Sequence, residues 1–367
     1  MKLFFLPLLI FTLNLIAPFL VASVVKKPNL IVIMCDDLGY ADVGFNGCKD
    51  IPTPNIDSIA KNGIRCTNGY VAYAVCGPSR AGFMTARYPQ RFGFERNPQY
   101  QAEDPNMGLT REEKTIAELL KPAGYHSGII GKWHLGAHIP TSHPMKRGFD
   151  EFYGHLGGGH VYFPEKLTIK RSQDAKGESE SYRTWLLKNY EPVPPRKYIT
   201  DDFSDEAVSF VERNRDLSFF LFLSYNAPHT PLEATEKYLS RFPEIKDKKR
   251  KTYAAMVSAV DDGVGRVLAE VRKCGLEEST IVAFLSDNGG PTTKNASQNT
   301  PLRGKKGDAW EGGYRVPFAI QWKGELPAGT TYEAPVSSLD LGGTIVALSG
   351  ARVSEDKPLD GVNLIPF

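Results

Sequence analysis

The chain reads as an α/β protein with a mostly parallel central sheet flanked by helices on both faces. Three observations lead there. Apolar runs of strand length alternate with amphipathic segments of helical period along the chain. The strand runs are continuous rather than alternating, as suits strands buried on both sides. A polar cluster follows nearly every run, and open α/β sheets gather their sites outside the carboxyl ends of the strands. Segments far apart in sequence can therefore meet at one rim.

The first strand is the apolar run at 29–34, with Asp36 and Asp37 at its end. Residues 54–61 predict a helix, opened by Pro54 and stopped by Gly63. Cys76-Gly77-Pro78-Ser79-Arg80 follows. Pro78 fixes φ where a helix would begin. A thiol at a helix N-terminus beside a guanidinium is a setting that makes cysteine reactive. A helix at 115–121 stops at Pro122 and Gly124, and a strand at 125–130 runs into Gly131-Lys132-Trp133-His134.

From 157 to 198 the periodicity lapses and Lys, Glu, Ser and Pro dominate. This predicts a long surface excursion, either of the kind that tunes substrate choice or a plain solvated insertion. Regular elements then resume. An amphipathic helix spans 201–213, and a buried strand at 218–223 runs into Asn226-Ala227-Pro228-His229. A long helix at 251–274 carries Met256, Val260, Val264, Val267, Leu268 and Val271 at helical spacing. The strand at 280–285 leads to Asp287-Asn288-Gly289-Gly290; a further strand at 316–321 and a helix at 339–348 complete the pattern.

Bulk properties narrow the function. With 367 residues, 41% hydrophobic and 23% charged, the chain suits one large domain or a domain with a small appendage. A net charge of +2 argues against a nucleic-acid partner. Residues 1–23 read as a secretory signal peptide, with cleavage near Ala22 or Ser23. Pro7, Asn14 and Pro18 interrupt the apolar run, which makes a membrane anchor the minor alternative. Export permits disulfides, and a bridge between Cys48 and Cys66 stays open, while Cys35 reads as a buried small hydrophobe.

The polar clusters carry the chemistry. Asp36, Asp37, Asp287 and Asn288 offer oxygen donors only, which suits a hard divalent cation, Ca²⁺ or Mg²⁺, rather than zinc. Lys132, His134, His229 and Lys305 supply the cationic groups and proton donors that an anionic ester needs. Six of the seven histidines lie between His126 and His160. No HExxH pattern joins them, so His126, His138, His143, His155 and His160 are expected at the rim or in the core.

Taken with their order and separations, these segments resemble the formylglycine-dependent type I sulfatases of the arylsulfatase family, within the alkaline-phosphatase-like superfamily. The matching stretches are Asp36-Asp37, Cys76 to Arg80, Gly124 to Gly136, Pro228-His229, Asp287-Asn288-Gly289 and Gly304-Lys305. The resemblance implies hydrolysis of sulfate monoesters, with a sulfated carbohydrate the expected substrate of an exported member. Cys76 would be oxidised to formylglycine by a formylglycine-generating or sulfatase-maturing enzyme. Asp36, Asp37, Asp287, Asn288 and the modified Cys76 would bind one Ca²⁺. Arg80 and His134 would hold and activate the aldehyde hydrate, Lys132 and Lys305 would grip the sulfate, and His229 would protonate the leaving oxygen. One hydroxyl of the hydrate would attack sulfur, and the second would allow sulfate to be expelled. A phosphate or phosphonate ester hydrolase on the same constellation is the closest rival, and a non-catalytic binder of sulfated glycans the next.

Two departures from the family pattern stand out. Ala86 replaces the glycine common after the signature helix and is expected to extend that helix. The catalytic domain is expected to span 24–367, where relatives continue into a small C-terminal antiparallel subdomain, so either a fragment or a shortened form is expected.

Overall fold

The structure is a computed structural model that describes Met1 and residues 27–366. Apart from Met1, the expected signal segment at 1–23 lies outside the described residues. Along the chain come β1 (Asn29–Cys35), α1 (Pro54–Lys61), β2 (Ile64–Cys66), β3 (Gly69–Tyr70), α2 (Cys76–Thr85), α3 (Ile116–Leu120), β4 (His126–Lys132), α4 (Ile139–Ser142) and β5 (Glu151–His155). Then follow α5 (Glu178–Ser181), β6 (Leu186–Lys188), β7 (Glu191–Val193), α6 (Ile199–Arg213), β8 (Phe219–Ser224), α7 (Glu236–Leu239), α8 (Lys248–Lys273) and β9 (Thr280–Ser286). The last are α9 (Glu311–Tyr314), β10 (Phe318–Trp322), β11 (Thr330–Tyr332), β12 (Val336–Ser337) and α10 (Ser338–Ser349).

Ten strands form one sheet in the order β11-β2-β10-β9-β1-β8-β4-β5-β6-β7. Its centre, β9-β1-β8-β4-β5, is wholly parallel. Antiparallel strands β10 and β6 flank that centre. Every residue of β1 is buried, and its side chains alternate between two cores. Ile31, Ile33 and Cys35 pack toward α1, α6 and α8; Leu30, Val32 and Met34 pack toward α2, α3 and α10. Each such large apolar side chain contributes about 1.5–3 kcal/mol on burial, so the continuous run that predicted β1 is what holds three layers together.

The long helix α8 buries the expected stripe, from Met256 to Val271. It starts three residues earlier than its periodicity predicts, because Asp247 caps it by accepting from Arg250 N at 2.7 Å. At α1 the cap comes from elsewhere in the fold. Thr53 makes no side-chain cap. Instead Asp261, on α8, accepts from Asn55 N at 3.0 Å and Ile56 N at 2.8 Å.

Several expectations need correction. The stretch 157–198 is not featureless: it holds α5 and the strands β6 and β7, whose three residues each are too few to show a period. Strand β5 carried no clear signal either. Ala86 does not extend α2. The helix stops at Thr85, and Ala86 takes the left-handed conformation (φ 51°) of a C-terminal cap. Its carbonyl accepts from Asp360 N and Gly361 N, which ties residues 360–361 over the end of the helix. All five cysteines are unpaired, Cys48 and Cys66 among them. No described helix is long and apolar enough to cross a membrane.

Candidate active site

Four parallel strands end at one rim. Asp36 and Asp37 follow β1, Lys132 closes β4 with His134 two residues on, Asn226 and His229 follow β8, and Asp287 and Asn288 follow β9. Backbone bonds lock the strand exits together: Asp36 N donates to Ala227 O at 3.2 Å and Asp287 N to Cys35 O at 2.9 Å. Asp37 and His134 both sit at positive φ, 66° and 58°. Strain of this kind collects at functional sites. Gly131 bends the end of β4 at φ 109°; an ideal Cβ there would stand 1.9 Å from Ser224 O of β8, so only glycine fits.

Helix α2 brings Cys76 to this rim, and all ten of its residues are buried. The Gly77 N–H, one of the donors a helix start leaves over, is met by Asn97 Oδ1 at 2.7 Å. Cys76 Sγ lies 3.4 Å from Asp36 Oδ1. Arg80, one turn along, is buried and turned to the carboxylates: its Nε donates to Asp287 Oδ2 at 2.9 Å, and Nη1 donates to Ser224 Oγ. Lys132 Nζ pairs with Asp36 Oδ2, both side chains fully buried.

The lysine beside the thiol is not the expected one. Lys305 is exposed, and its backbone N–H is fixed by the Asp308 carboxylate at 3.1 Å. Its neighbour Lys306 reaches inward, with Nζ 3.0 Å from Cys76 Sγ and 2.7 Å from Asp37 Oδ1. The turn at Gly304 (φ 91°) sets which of two adjacent lysines faces the rim, and spacing in the sequence carries no sign of it. Sequence reasoning also missed Ser224, Asn97, Glu178 and Tyr182.

Electrostatics corrects a second expectation. As a free thiol, Cys76 is not activated. Burial, reinforced by the Asp36 charge, pushes it up to about 12, and Lys132 and Lys306 only partly oppose this. Arg80 is spent on Asp287 instead. The Asp287 carboxyl rises to about 6 through burial and repulsion from Asp36. Burial also works against ionised Asp36, yet Lys132 and His229 hold its carboxyl well below the usual range. His134 and His229 are both lowered, first by burial, with Lys132 adding to it at each. His229 Nδ1 is tied to Thr230 O at 2.6 Å, and Nε2 faces Asp37 Oδ2 at 3.6 Å.

Asp36, Asp37, Cys76 and Asp287 bring ligand-capable atoms within 4.8 Å of one another. Asn288 Nδ2 donates to Asp37 Oδ1 at 2.7 Å, while its buried Oδ1 has no partner. Crowded carboxylates beside an orphaned amide oxygen fit a hard cation with oxygen ligands. The other histidines stand apart from this cluster. His126 pairs with Glu151, His138 bonds Thr141, His143 caps Met145, and His160 bonds the carbonyls of Val161 and Thr184. His155 is buried in the core against His160.

Above the cluster opens a cavity of about 550 Å³, floored by Cys76, His134, His229 and Lys306. Residues 97–101, Gly158, Lys176, Glu178 and Tyr182 wall it.

A helix that carries a buried cysteine, a carboxylate cluster and paired cations at the carboxyl rim of a parallel sheet mark an ester hydrolase of the alkaline-phosphatase-like α/β class. A sequence model of the sulfatases matches residues 28–351, and the chain belongs to the sulfatase family. It is 33% identical to mouse N-acetylgalactosamine-6-sulfatase over 95% of this chain and 67% of that one. The chain thus spans about two thirds of that relative's length. Among solved structures, one described as Ps i-CgsB in complex with k-i-k-neocarrahexaose is 47% identical, covers 93% of this chain and 76% of the other, and superposes with a TM-score of 0.88. PsFucS1 sulfatase from Pseudoalteromonas sp. is 31% identical, covering 93% and 71%, at a TM-score of 0.78. A phosphonate monoester hydrolase of Agrobacterium radiobacter, at 20% identity, shares the fold.

Proposed function

We propose that this protein hydrolyses sulfate monoesters of a carbohydrate, with Cys76 matured to formylglycine as its nucleophile. The observation that carries this reading is the meeting of Cys76, Lys306, Lys132 and two histidines above the carboxylate cluster. An unmodified thiol held up to about 12 is a poor nucleophile at neutral pH; oxidised to formylglycine, the same side chain would offer a geminal diol in its place. Asp36, Asp37, Asp287 and Asn288, with an oxygen of the matured residue, would hold Ca²⁺. That charge would steady the sulfuryl oxygens.

The chain's own groups then divide the work. Lys132 and Lys306, the latter in the role expected of Lys305, grip the sulfate. Arg80 fixes Asp287, and His134 stands beside the nucleophile with Nδ1 free of partners. His229 has Nδ1 held by a carbonyl, which leaves Nε2 to deliver a proton to the departing oxygen. A polar cavity mouth with Tyr182 beside His229 suits a sugar, and the relative bound to k-i-k-neocarrahexaose supports a carbohydrate substrate. The span 24–367 is read as one catalytic domain, exported after loss of a signal segment, with a maturation enzyme as its necessary partner.

The test compares kcat/KM on aryl sulfate and aryl phosphate monoesters, with mass spectrometry of the Cys76 peptide and melting with and without a chelator. Preference for sulfate, a mass matching formylglycine and a chelator-sensitive melting temperature are expected. A preference for phosphate would overturn the substrate class, and an intact thiol in active protein would overturn the nucleophile.

A further inference from the structure

Sulfate binding does not call for a carboxylate at the mouth of the catalytic cavity, yet Glu178 stands there. It opens the short helix α5 and lines a cavity floored by Lys306 and two histidines. No cation among the described residues pairs with it. Its place is set by backbone: it lies against Gly158, where an ideal Cβ would stand 2.6 Å from Glu178 Oε1 and 2.8 Å from His134 Nε2. The carboxylate and the His134 ring therefore crowd the same bare glycine. Glu178 and Tyr182 also line an adjoining open cavity of about 870 Å³ that reaches Arg183, Thr230 and Pro231. Both residues thus stand on the ridge that any chain leaving the catalytic cavity on this side must cross. Tyr182 places its ring 6.4 Å from that of His229, on the leaving-group side.

We propose that Glu178 is a specificity-determining residue. It accepts a hydrogen bond from a free hydroxyl of the sugar that carries the scissile sulfate, and it turns away sugars with a second sulfate at that position. This rests on the sulfate-ester reading above. An ionised carboxylate only accepts hydrogen bonds. A hydroxyl can satisfy it, whereas a sulfate ester brings no proton and a like charge. A cavity lined by cations alone would favour the more sulfated sugar, and Glu178 reverses that order at one position by repulsion. Sites built to bond a hydroxyl discriminate strongly against analogues that cannot offer it.

The experiment measures kcat/KM of the wild type, Glu178→Gln and Glu178→Ala on three substrates. These are 4-methylumbelliferyl sulfate, a galactoside monosulfate, and the same galactoside with sulfates on two neighbouring carbons. The wild type is expected to prefer the monosulfate to the disulfate. In both variants the monosulfate-to-disulfate ratio should fall at least about 10-fold, and in Glu178→Ala the monosulfate value should fall about 10-fold relative to the aryl sulfate. If all three values fall in parallel, Glu178 only supports the fold of the site, and the proposal is wrong. Unchanged ratios overturn it equally. A wild type inert on all three substrates would instead refute the sulfatase reading and take this assignment with it.

Discussion

Exchanging Lys306 for alanine should cost far more activity than exchanging its neighbour Lys305. The Lys306 ammonium lies 3.0 Å from Cys76 Sγ and 2.7 Å from Asp37 Oδ1, and its side chain is 17% exposed. Burial opposes its charge, but Asp37 and Cys76 more than offset this and hold its pKa well above the usual lysine value. It therefore stays charged wherever the enzyme works. At an effective dielectric of ~20, two unit charges about 3 Å apart interact by ~5 kcal/mol, a ceiling that solvent and nearby carboxylates reduce. Removing a preorganised charged donor costs about 3–4 kcal/mol in transition-state stabilisation, a ~10²- to 10³-fold fall in kcat. Lys305 is exposed and held only through its backbone, so Lys305→Ala should stay within ~3-fold of the wild type, the range of a weak exposed charge. Initial rates on 4-nitrophenyl sulfate measure both, with thermal melts to show that both variants fold. A loss in Lys305→Ala equal to that in Lys306→Ala, or a Lys306→Ala enzyme within ~3-fold of wild type, would refute the reasoning.

Two further outcomes follow from groups with shifted pKa values. His229 must carry a proton to act as the acid, and burial lowers its pKa, so kcat/KM should already be falling as pH rises toward the ordinary imidazole value of ~6.5. His229→Ala should lose that limb and should suffer most on esters with poor leaving groups; equal losses on good and poor leaving groups would count against the role. Asp261→Ala removes the cap of α1 and should destabilise the fold by about 2 kcal/mol in urea unfolding. Burial raises the Asp261 carboxyl to about 6, above the ~3.9 of an unfolded chain. The folded state therefore binds more protons between about pH 4 and 6, and this group's contribution to stability falls as pH rises through that window. Asp261→Asn should flatten that slope, and an unaltered slope would sink the assignment.

The parallel core was legible because β1, β8 and β9 are buried on both faces and must be apolar throughout, a signal that survives without any relative for comparison. Legible too were the acids at their ends. Less visible were features decided by contacts remote in sequence. The cap of α1 comes from Asp261, 205 residues beyond Ile56. β6 owes its strand form to pairing with β5, and β7 to pairing with β6, rather than to their own patterns. Lys305 and Lys306 differ only in which side of a turn they occupy, and that turn depends on Gly304 packing against Trp310. The reactive thiol inferred from a helix start and an arginine failed for a related reason. Sequence shows which charges are near, but not that Asp287 claims Arg80 while Asp36 faces the sulfur. Glu178 lay in a stretch with no periodicity, where nothing marked one acid from its neighbours.

The burial of α2 sets a timetable. Cys76 is 1% exposed and sits on a helix with no residue at the surface. A protein that oxidises this side chain, as proposed, needs it exposed, which the finished fold does not offer. If Cys76 is oxidised as proposed, maturation and folding compete for the same few residues, and the closure of the sheet over α2 is the deadline. Substitutions far from the rim that speed folding should lower the fraction of chains that leave the race chemically complete, even as they make the survivors more stable.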